Sequence, residues 1–250
     1  MICNNKMKNI KPRDTESLRY KLHLFIRSKL ALVGLMILIF IFGLVIFGPS
    51  LSPYDPLGID FSVKLNPPSS EHLLGTDNYG RDLMSRIFSG ARYTLLAAFI
   101  SVLIGLALGA PLGVISGFFG KMTDLILMRT MDILLAFPPL ILAMAIVSGL
   151  GPSLVNASIA IGISYIPHFA RLIRSRAINV KRMDYVEAAI SIGSPKIRIL
   201  LLDVFPNCLT PLIVQATVYT GYGILWVAGL SFIGLGAKLP TPEWGLMIAE

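Results

Sequence analysis

The sequence predicts an all-α protein that crosses a membrane several times. Hydrophobic residues make up 54% of its 250 residues and charged residues only 14%, a balance outside the range of ordinary soluble domains. Five uncharged runs approach the roughly 20 residues that a helix needs to cross a hydrocarbon core of about 30 Å. The basic residues collect between these runs, as expected for a polytopic protein embedded in the lipid bilayer.

The five runs predict five transmembrane helices. They cover residues 30–47, 93–117, 133–150, 154–170 and 209–233. Gly151-Pro152-Ser153, between the third and fourth runs, is too short for anything but a tight hairpin. The predicted organisation is a cytoplasmic N-terminal segment (1–29), a first transmembrane helix (30–48), an external loop (49–92) and a transmembrane domain (93–250) that contains a cytoplasmic region (183–206).

The distribution of basic residues predicts the orientation. With the N-terminus in the cytoplasm, 17 of the 22 Lys and Arg residues fall in cytoplasmic segments and 5 in external ones. Basic residues are retained on the cytoplasmic side of a membrane. We therefore expect a multi-pass protein of the cytoplasmic membrane whose region 183–206 faces the cytoplasm and whose loop 49–92 faces outward.

Several function classes are excluded by residue types and their placement. Cys3 and Cys208 lie far apart, and the three histidines are isolated, so neither a disulfide framework, nor a metal site, nor a bound cofactor is expected. The basic residues are not interleaved with aromatic ones, which argues against nucleic acid as a partner. No ionisable residue lies near the middle of a run, whereas ion-coupled carriers place such residues there. The first run has no cleavage site and should remain as an anchor.

Glycines punctuate the second run at a spacing of four, at positions 105, 109, 113 and 117. They predict a groove where another backbone approaches closely. Packing within the chain and a subunit or pore-facing contact are both compatible with this groove. Pro111 should loosen the same helix.

Prolines also interrupt the third and fourth runs, at positions 138, 139 and 167. They should bend these helices. The sequence leaves open whether the bends move during function or are tolerated kinks.

A patterned polar stretch separates the fourth and fifth runs. Residues 183–192 predict a short helix that Gly193 stops in a left-handed conformation. Ser194 is predicted as an N-cap with Pro195 at the first helical position, and a second short helix should end at Pro206. Both helices are too short to span a membrane. They fit either an amphipathic pair lying on anionic lipid or a docking element for a cytoplasmic protein.

This stretch resembles the EAA signature of the membrane subunits of ABC importers. The matching residues are Glu187, Ala188, Ala189, Gly193 and Pro206. Asp203 and Phe205 depart from the pattern, which favours Ile and Leu at those positions. By resemblance, the matching residues couple the chain to an ATPase.

A second stretch, 72–92, resembles the external segment of dipeptide, oligopeptide and nickel permeases. Its signature residues include Gly75, Thr76, Asp77, Gly80, Arg81 and Asp82. The segments "DILLAFPPLILA" and "GLSFIGLGAKLPTPEWGLM" are similar to the same family, whose members usually carry one more transmembrane helix beyond the last of these. The chain is thus expected to be a C-type subunit that stops before this helix.

The resemblance implies the type I ABC importer fold and a division of labour. Two permease subunits would form the path, two cytoplasmic ATPase subunits would dock at the cytoplasmic helices, and an external solute-binding protein would deliver the ligand. The chain has no GxxxxGK[ST] loop, so it should not be an enzyme and ATP should be hydrolysed by its partners. Peptides are the first expected substrate, and nickel or a metal chelate is the alternative. An ATP-independent carrier or channel and a non-transporting scaffold are the competing classes.

Overall fold

The computed structural model describes residues 25–250, which fall into two units divided after Leu51. The predicted cytoplasmic segment 1–29 lies almost entirely outside the described residues. The described part of the first unit is mainly helix α1 (Lys29–Leu51). Its stretch Lys29–Gly48 is long and apolar enough to cross a membrane, so the first predicted run forms a helix of spanning length.

The second unit is built from helices joined by short connections. They are α2 (Leu83–Phe119), α3 (Lys121–Leu135), α4 (Pro139–Leu150), α5 (Leu154–Lys181), α6 (Asp184–Ser191), α7 (Lys196–Phe232) and α8 (Trp244–Ala249). Before α2, residues 52–82 form a loop with a single 3₁₀ turn at Phe61–Val63. Within residues 25–250 the only strand-like pairing is an isolated bridge between Thr76 and Asp82. The all-α prediction is confirmed.

The glycine groove of α2 is filled by α5 of the same chain. A Cβ atom at Gly109 would lie 2.6 Å from the Ile166 carbonyl oxygen, and one at Gly113 would lie 2.3 Å from that of Ala170. From the other side, a Cβ at Gly162 would lie 2.7 Å from Cβ of Ile104. Any larger residue would push the helices apart. The groove therefore serves helix packing, and the alternative of a subunit or pore-facing contact there is wrong.

Helix α5 is the central helix of this unit. Buried residues occur along its whole length, and it packs against α2, α4 and α7. It is long enough to span a membrane but, unlike α1, α2 and α7, is not among the helices apolar enough to do so by composition. A helix surrounded by other helices need not match the apolarity of lipid, so the fourth predicted run is helical but less apolar than the others.

The third predicted run is not one straight helix. Helices α3 and α4 meet at an angle of 87° across the break at Phe137-Pro138. At 1.5 Å per residue they are about 22 and 18 Å long, each shorter than a hydrocarbon core of about 30 Å. Pro138 and Pro139 lack the N–H groups that would continue α3. The predicted bend is confirmed, and the single span becomes a broken one.

Candidate functional sites at the two ends of the bundle

The two motifs singled out from the sequence lie at opposite ends of α2. Asp82 caps the first turn of this helix. At its last turn, the Phe118 carbonyl accepts a hydrogen bond of 2.6 Å from Nζ of Lys181, the last residue of α5. Helix α2 has 37 residues and is about 55 Å long, which exceeds the total thickness of a bilayer at about 40–45 Å. The region 183–206 and the loop 52–82, which we call the outer loop from its predicted orientation, thus lie at opposite ends of a helix that is longer than a membrane is thick.

Helix α6 ends in a glycine corner. The amide of Gly193 donates to the Ile190 carbonyl at 3.0 Å, and that of Ser194 donates to the Ala189 carbonyl at 3.1 Å. This pair of bonds is the Schellman motif, which requires a left-handed residue at its centre. Gly193 has φ +79°, as predicted. The corner is therefore fixed by backbone hydrogen bonds and by the absence of a side chain.

One face of α6 is held in the core and the other is open. Val186 is fully buried and belongs to the main hydrophobic cluster, against which Ala189 packs. Glu187 and Ala188 are exposed, and Ile192 is 82% exposed. The open face thus presents an acidic, a small and an apolar side chain to its surroundings. The arrangement suits a rigid knob whose outer face is free.

The prediction of a second short helix that ends at Pro206 is wrong. No helix ends at Pro206, because Lys196–Phe232 is one continuous helix. Its segment Ile199–Val204 is π-helical, and the wider turn shifts hydrogen bonds from residue i−4 to i−5, which lets the chain pass Pro206 without a break. Ser194 is not the N-cap either, since that position is held by Pro195 with an extended ψ of 136°.

The π-helical segment is tied to α6 by a polar cluster. Nδ2 of Asn207 donates to the Asp203 carbonyl at 2.7 Å and to the Tyr185 hydroxyl at 3.0 Å. The Tyr185 hydroxyl donates to the same carbonyl at 3.3 Å. Only the backbone of Asp203 takes part, so its departure from the family pattern leaves these bonds unaffected. Helix α6 is thereby joined to the start of α7.

At the other end of α2, the glycines of the outer signature allow tight turns. Gly75 and Gly80 have φ values of +79° and +73°. A Cβ at Gly80 would lie 1.7 Å from the Asp60 carbonyl oxygen, and one at Gly75 would lie 2.5 Å from that of Asn66. Thr76 accepts from the Asn66 amide at 2.9 Å and donates to the Val63 carbonyl. These residues fold the loop upon itself.

The outer signature also contains a buried ionic cluster. Nε of Arg81 lies 2.6 Å from a carboxylate oxygen of Asp77. The same Glu250 oxygen pairs with Arg81 at 2.9 Å and with Arg86 at 2.5 Å. Arg81 is 2% exposed and Arg86 is fully buried. Charges buried to this degree are stable only when paired, so the cluster fixes the relative position of the loop, α2 and the residues after α8.

Asp82 joins the first turn of α2 to His72 of the outer loop. Its carboxylate accepts hydrogen bonds from the Ser85 amide at 2.8 Å and the Ser85 hydroxyl at 2.6 Å. The other oxygen lies 3.0 Å from Nδ1 of His72. Burial opposes ionisation of this carboxyl, but the bonds from Ser85 and His72 outweigh it and lower the pKa of Asp82 below its usual value.

One structural residue at this end of α2, Glu243, was not predicted from the sequence. Glu243 is fully buried. It caps α8 by accepting from the Leu246 amide at 2.9 Å, and it accepts from the Thr94 hydroxyl at 3.0 Å. The indole of Trp244 donates to the Ile87 carbonyl at 3.0 Å. The available signal was an acidic residue directly before an apolar run, which is a helix-start pattern. Within residues 25–250, no group of three or more His, Cys, Asp or Glu residues is placed to hold a metal ion.

The sequence is similar to those of known proteins. Residues 109–250 match the family described as binding-protein-dependent transport system inner membrane component, and residues 18–68 match the N-terminal transmembrane domain of oligopeptide transport permease C. The dipeptide transport system permease DppC of Alkalihalophilus pseudofirmus is 44% identical, over 90% of this chain and 74% of that protein. The probable D,D-dipeptide permease DdpC of Escherichia coli is 43% identical, over 89% and 75%. The glutathione permease GsiD of Pectobacterium atrosepticum is 37% identical, over 90% and 75%.

A solved structure supports the fold. The inward-facing methionine ABC transporter MetNI matches with a TM-score of 0.55 and 21% identity, over 62% of this chain and 77% of the matched chain. At this identity the likeness establishes the type I ABC importer fold alone. The family model and the relatives show that the chain belongs to the binding-protein-dependent transport system inner membrane components, as a permease of the DppC type.

Proposed function

We propose that this chain is one permease subunit of an ATP-driven importer and that, with a second permease subunit, it forms the path of di- or oligopeptides across the cytoplasmic membrane. The observation that carries the proposal is α6, whose inner face is locked into the core while its outer face is exposed. The relatives named as dipeptide, D,D-dipeptide and glutathione permeases support peptides as the substrate. The N-terminus and α6 lie on the cytoplasmic side, in accord with the distribution of basic residues.

A cytoplasmic ATPase subunit docks on the exposed face of α6. Ala188 is small enough to permit close approach, Ala189 packs inward beside it, and Glu187 is an exposed carboxylate for a charge-assisted contact. Gly193 sets the angle between α6 and α7, and Pro206 marks the end of the π-helical segment. These residues form the coupling site.

The motion of the ATPase passes from α6 to the membrane through α7. Val186 and Val204 are both fully buried in the same hydrophobic cluster, and Tyr185 is bonded to Asp203 and Asn207. Because α7 runs without interruption from this point across the bundle, a displacement of α6 tilts or shifts the whole helix. A π-helical turn is a frequent place for such adjustment.

The outer residues shape the surface that receives an external solute-binding protein. Gly75, Thr76, Gly80, Arg81 and Asp82 are not free for ligand contact in this arrangement, since their atoms fold the loop. Exposed side chains of the same loop, such as Tyr79 at 37%, are the ones available to a partner. The signature therefore acts through the shape of the loop.

The coupling site is tested in the assembled complex, reconstituted in liposomes with its binding protein. The Glu187→Arg variant should reduce peptide uptake about tenfold or more, because a lost charge-assisted hydrogen bond is worth about 1.5–3 kcal/mol. The matched control is Glu71→Arg, the same charge reversal on an exposed residue of the outer loop; it should leave the ATPase subunits bound to the complex, whereas Glu187→Arg should weaken that binding. Normal uptake by the double variant Glu187→Arg, Gly193→Pro would refute the coupling role. Uptake of a nickel chelate in place of labelled dipeptide would overturn the substrate alone.

A further inference from the structure

An aromatic cluster joins α5 and α7 within the bundle. The ring of Tyr219 lies 4.7 Å from that of Tyr165, 5.4 Å from that of His168 and 5.9 Å from that of Tyr222, measured between centroids. Tyr165 is buried, His168 and Tyr219 are half-buried, and Tyr222 is 50% exposed. We call these four side chains the phenol surface. It runs from the centre of the bundle to an open face of α7.

The depth of the phenol surface is unusual for tyrosine. Tyr219 and Tyr222 lie near the middle of the apolar run 209–233, and Tyr165 lies within the run 154–170. Tyrosines of membrane proteins are enriched at the two interfaces, where the hydroxyl reaches water. A hydroxyl or imidazole that faces hydrocarbon without a partner is costly. The open side of this surface is therefore better suited to water and a polar solute than to lipid.

The hydroxyl groups nearby differ in how they are satisfied. Thr217 and Thr220, on α7, donate back to carbonyls of their own helix at 2.8 and 2.9 Å, as membrane helices allow. The hydroxyl of Tyr165 is buried and has no hydrogen-bond partner among the described residues. A buried hydroxyl without a partner in the chain is satisfied by water or by a bound molecule.

A helix break lies beside the same turn of α5. Oγ of Ser164 is 3.3 Å from the carbonyl oxygen of Pro139, at the junction of α3 and α4. Because Pro138 and Pro139 have no N–H, the break leaves backbone carbonyls without their helical donors. Irregular backbone at membrane depth is tolerated where it is buried in protein or lines a water-filled cavity, and transporters build solute sites at such breaks.

We infer that the phenol surface lines the translocation path and hydrogen-bonds peptides in transit through their amide groups. The inference rests on the proposed import of peptides. A peptide presents an N–H and a C=O at each residue, which phenol hydroxyls and imidazole nitrogens can accept from and donate to. The surface carries no carboxylate, amine or guanidinium, so its contacts are weak enough for the solute to leave, as conduction requires.

The test removes hydroxyl groups and keeps the rings. In the reconstituted complex, Tyr165→Phe and the double variant Tyr219→Phe, Tyr222→Phe should each lower the maximal rate of dipeptide uptake by about 3- to 10-fold, the effect of one or two hydrogen bonds. Basal ATP hydrolysis and co-purification of the other subunits should be unchanged. Thr217→Val is the matched control, since that hydroxyl is already satisfied within α7, and it should leave uptake within about twofold.

Tyr165→Phe separates this inference from a purely structural role. A packing role predicts that loss of an unsatisfied buried hydroxyl leaves uptake unchanged and the complex as stable or more stable, and that result would overturn the inference. Loss of the second permease subunit from the double variant would also overturn it, by making the surface a subunit interface. If the double variant is not produced as a folded membrane protein, Tyr222→Phe alone, at a half-exposed site, takes its place. If the unaltered complex moves no dipeptide, the proposed function fails instead.

Discussion

The outer loop and the glycine corner between α6 and α7, which we call the inner corner, use their signature residues in opposite ways. In the outer loop, Thr76, Arg81 and Asp82 are at most 4% exposed and bond to their own chain. At the inner corner, Glu187, Ala188 and the other matching residues except Ala189 are exposed. A family motif can therefore consist of residues that maintain the fold or of residues that form an exposed surface, and the motif alone does not distinguish the two. One motif preserves a folded shape, and the other preserves a surface.

The largest expected effect lies in the ionic cluster of the outer loop. Arg86→Ala leaves two partly buried carboxylates, on Asp77 and Glu250, to share Arg81. Removing one partner of a buried ionic group costs about 3–5 kcal/mol, so the free energy of unfolding of the purified complex should fall by about 3 kcal/mol or more. Thermal unfolding in detergent measures this. Arg92→Ala, an exposed arginine on the same helix, should change stability by less than about 0.5 kcal/mol. Equal effects of the two substitutions would contradict the role of the cluster.

Two glycines test the same difference between the outer loop and the inner corner. Gly80 and Gly193 both have left-handed backbone, with φ values of +73° and +79°. A Cβ at Gly80 meets the Asp60 carbonyl, whereas one at Gly193 meets nothing within 4 Å. Gly193→Ala should therefore cost only the conformational strain of about 1–2 kcal/mol, and Gly80→Ala should add an overpacking cost of about 1–3 kcal/mol. Unfolding of the two variants, measured side by side, tests the order. A Gly193→Ala variant less stable than Gly80→Ala would show that the inner corner is the tighter one.

Local rules predicted the features that depend on neighbouring residues. The spans follow from runs of apolar residues, and the corner at Gly193 follows from one residue that can adopt a left-handed conformation. The helix packing at Gly105 to Gly117 follows from a regular spacing on one face. In each case the physical cause lies within one or two helical turns of sequence.

The features that the sequence did not reveal depend on distant partners. Arg86 and Glu250 are 164 positions apart, and Thr94 and Glu243 are 149 apart, so no spacing rule connects them. The continuation of α7 past Pro206 was also not predicted, because proline normally ends a helix. The π-helical segment avoids this ending, and its carbonyl at Asp203 finds donors in Tyr185 and Asn207. The coupling role of the inner residues stays a prediction.

A smaller effect is expected from pH at the outer loop. Because its pKa is lowered in the folded protein, the Asp82 carboxylate stabilises the fold above the unfolded-state pKa of about 3.9, and this contribution is lost as the pH falls through the folded-state pKa. Asp82→Asn keeps a helix-capping oxygen but removes the charge. The variant should be less stable at pH 7 by about 1–2 kcal/mol and should approach the unaltered protein at pH 3. Unfolding across this range measures the difference. Glu71→Gln, an exposed control, should show no such convergence, and a constant gap for Asp82→Asn would contradict the ionised carboxylate.

The smallest effect on stability should come from the link between α6 and α7, where the effect on function is expected to be greater. Tyr185→Phe removes the hydroxyl that joins Asp203 and Asn207 at a half-exposed site, which should cost about 0.5–1 kcal/mol. If α6 drives α7 through this link, the number of peptides imported per ATP hydrolysed should fall even though the complex remains assembled. The control is Tyr54→Phe in the outer loop, where the side chain is similarly exposed at 42% against 44%, and its ratio should be unchanged. An unaltered ratio in Tyr185→Phe would mean that the buried contact of Val186 transmits the motion without the polar cluster. The inner corner would then resemble the outer loop, in which buried contacts and not an exposed polar contact carry the role.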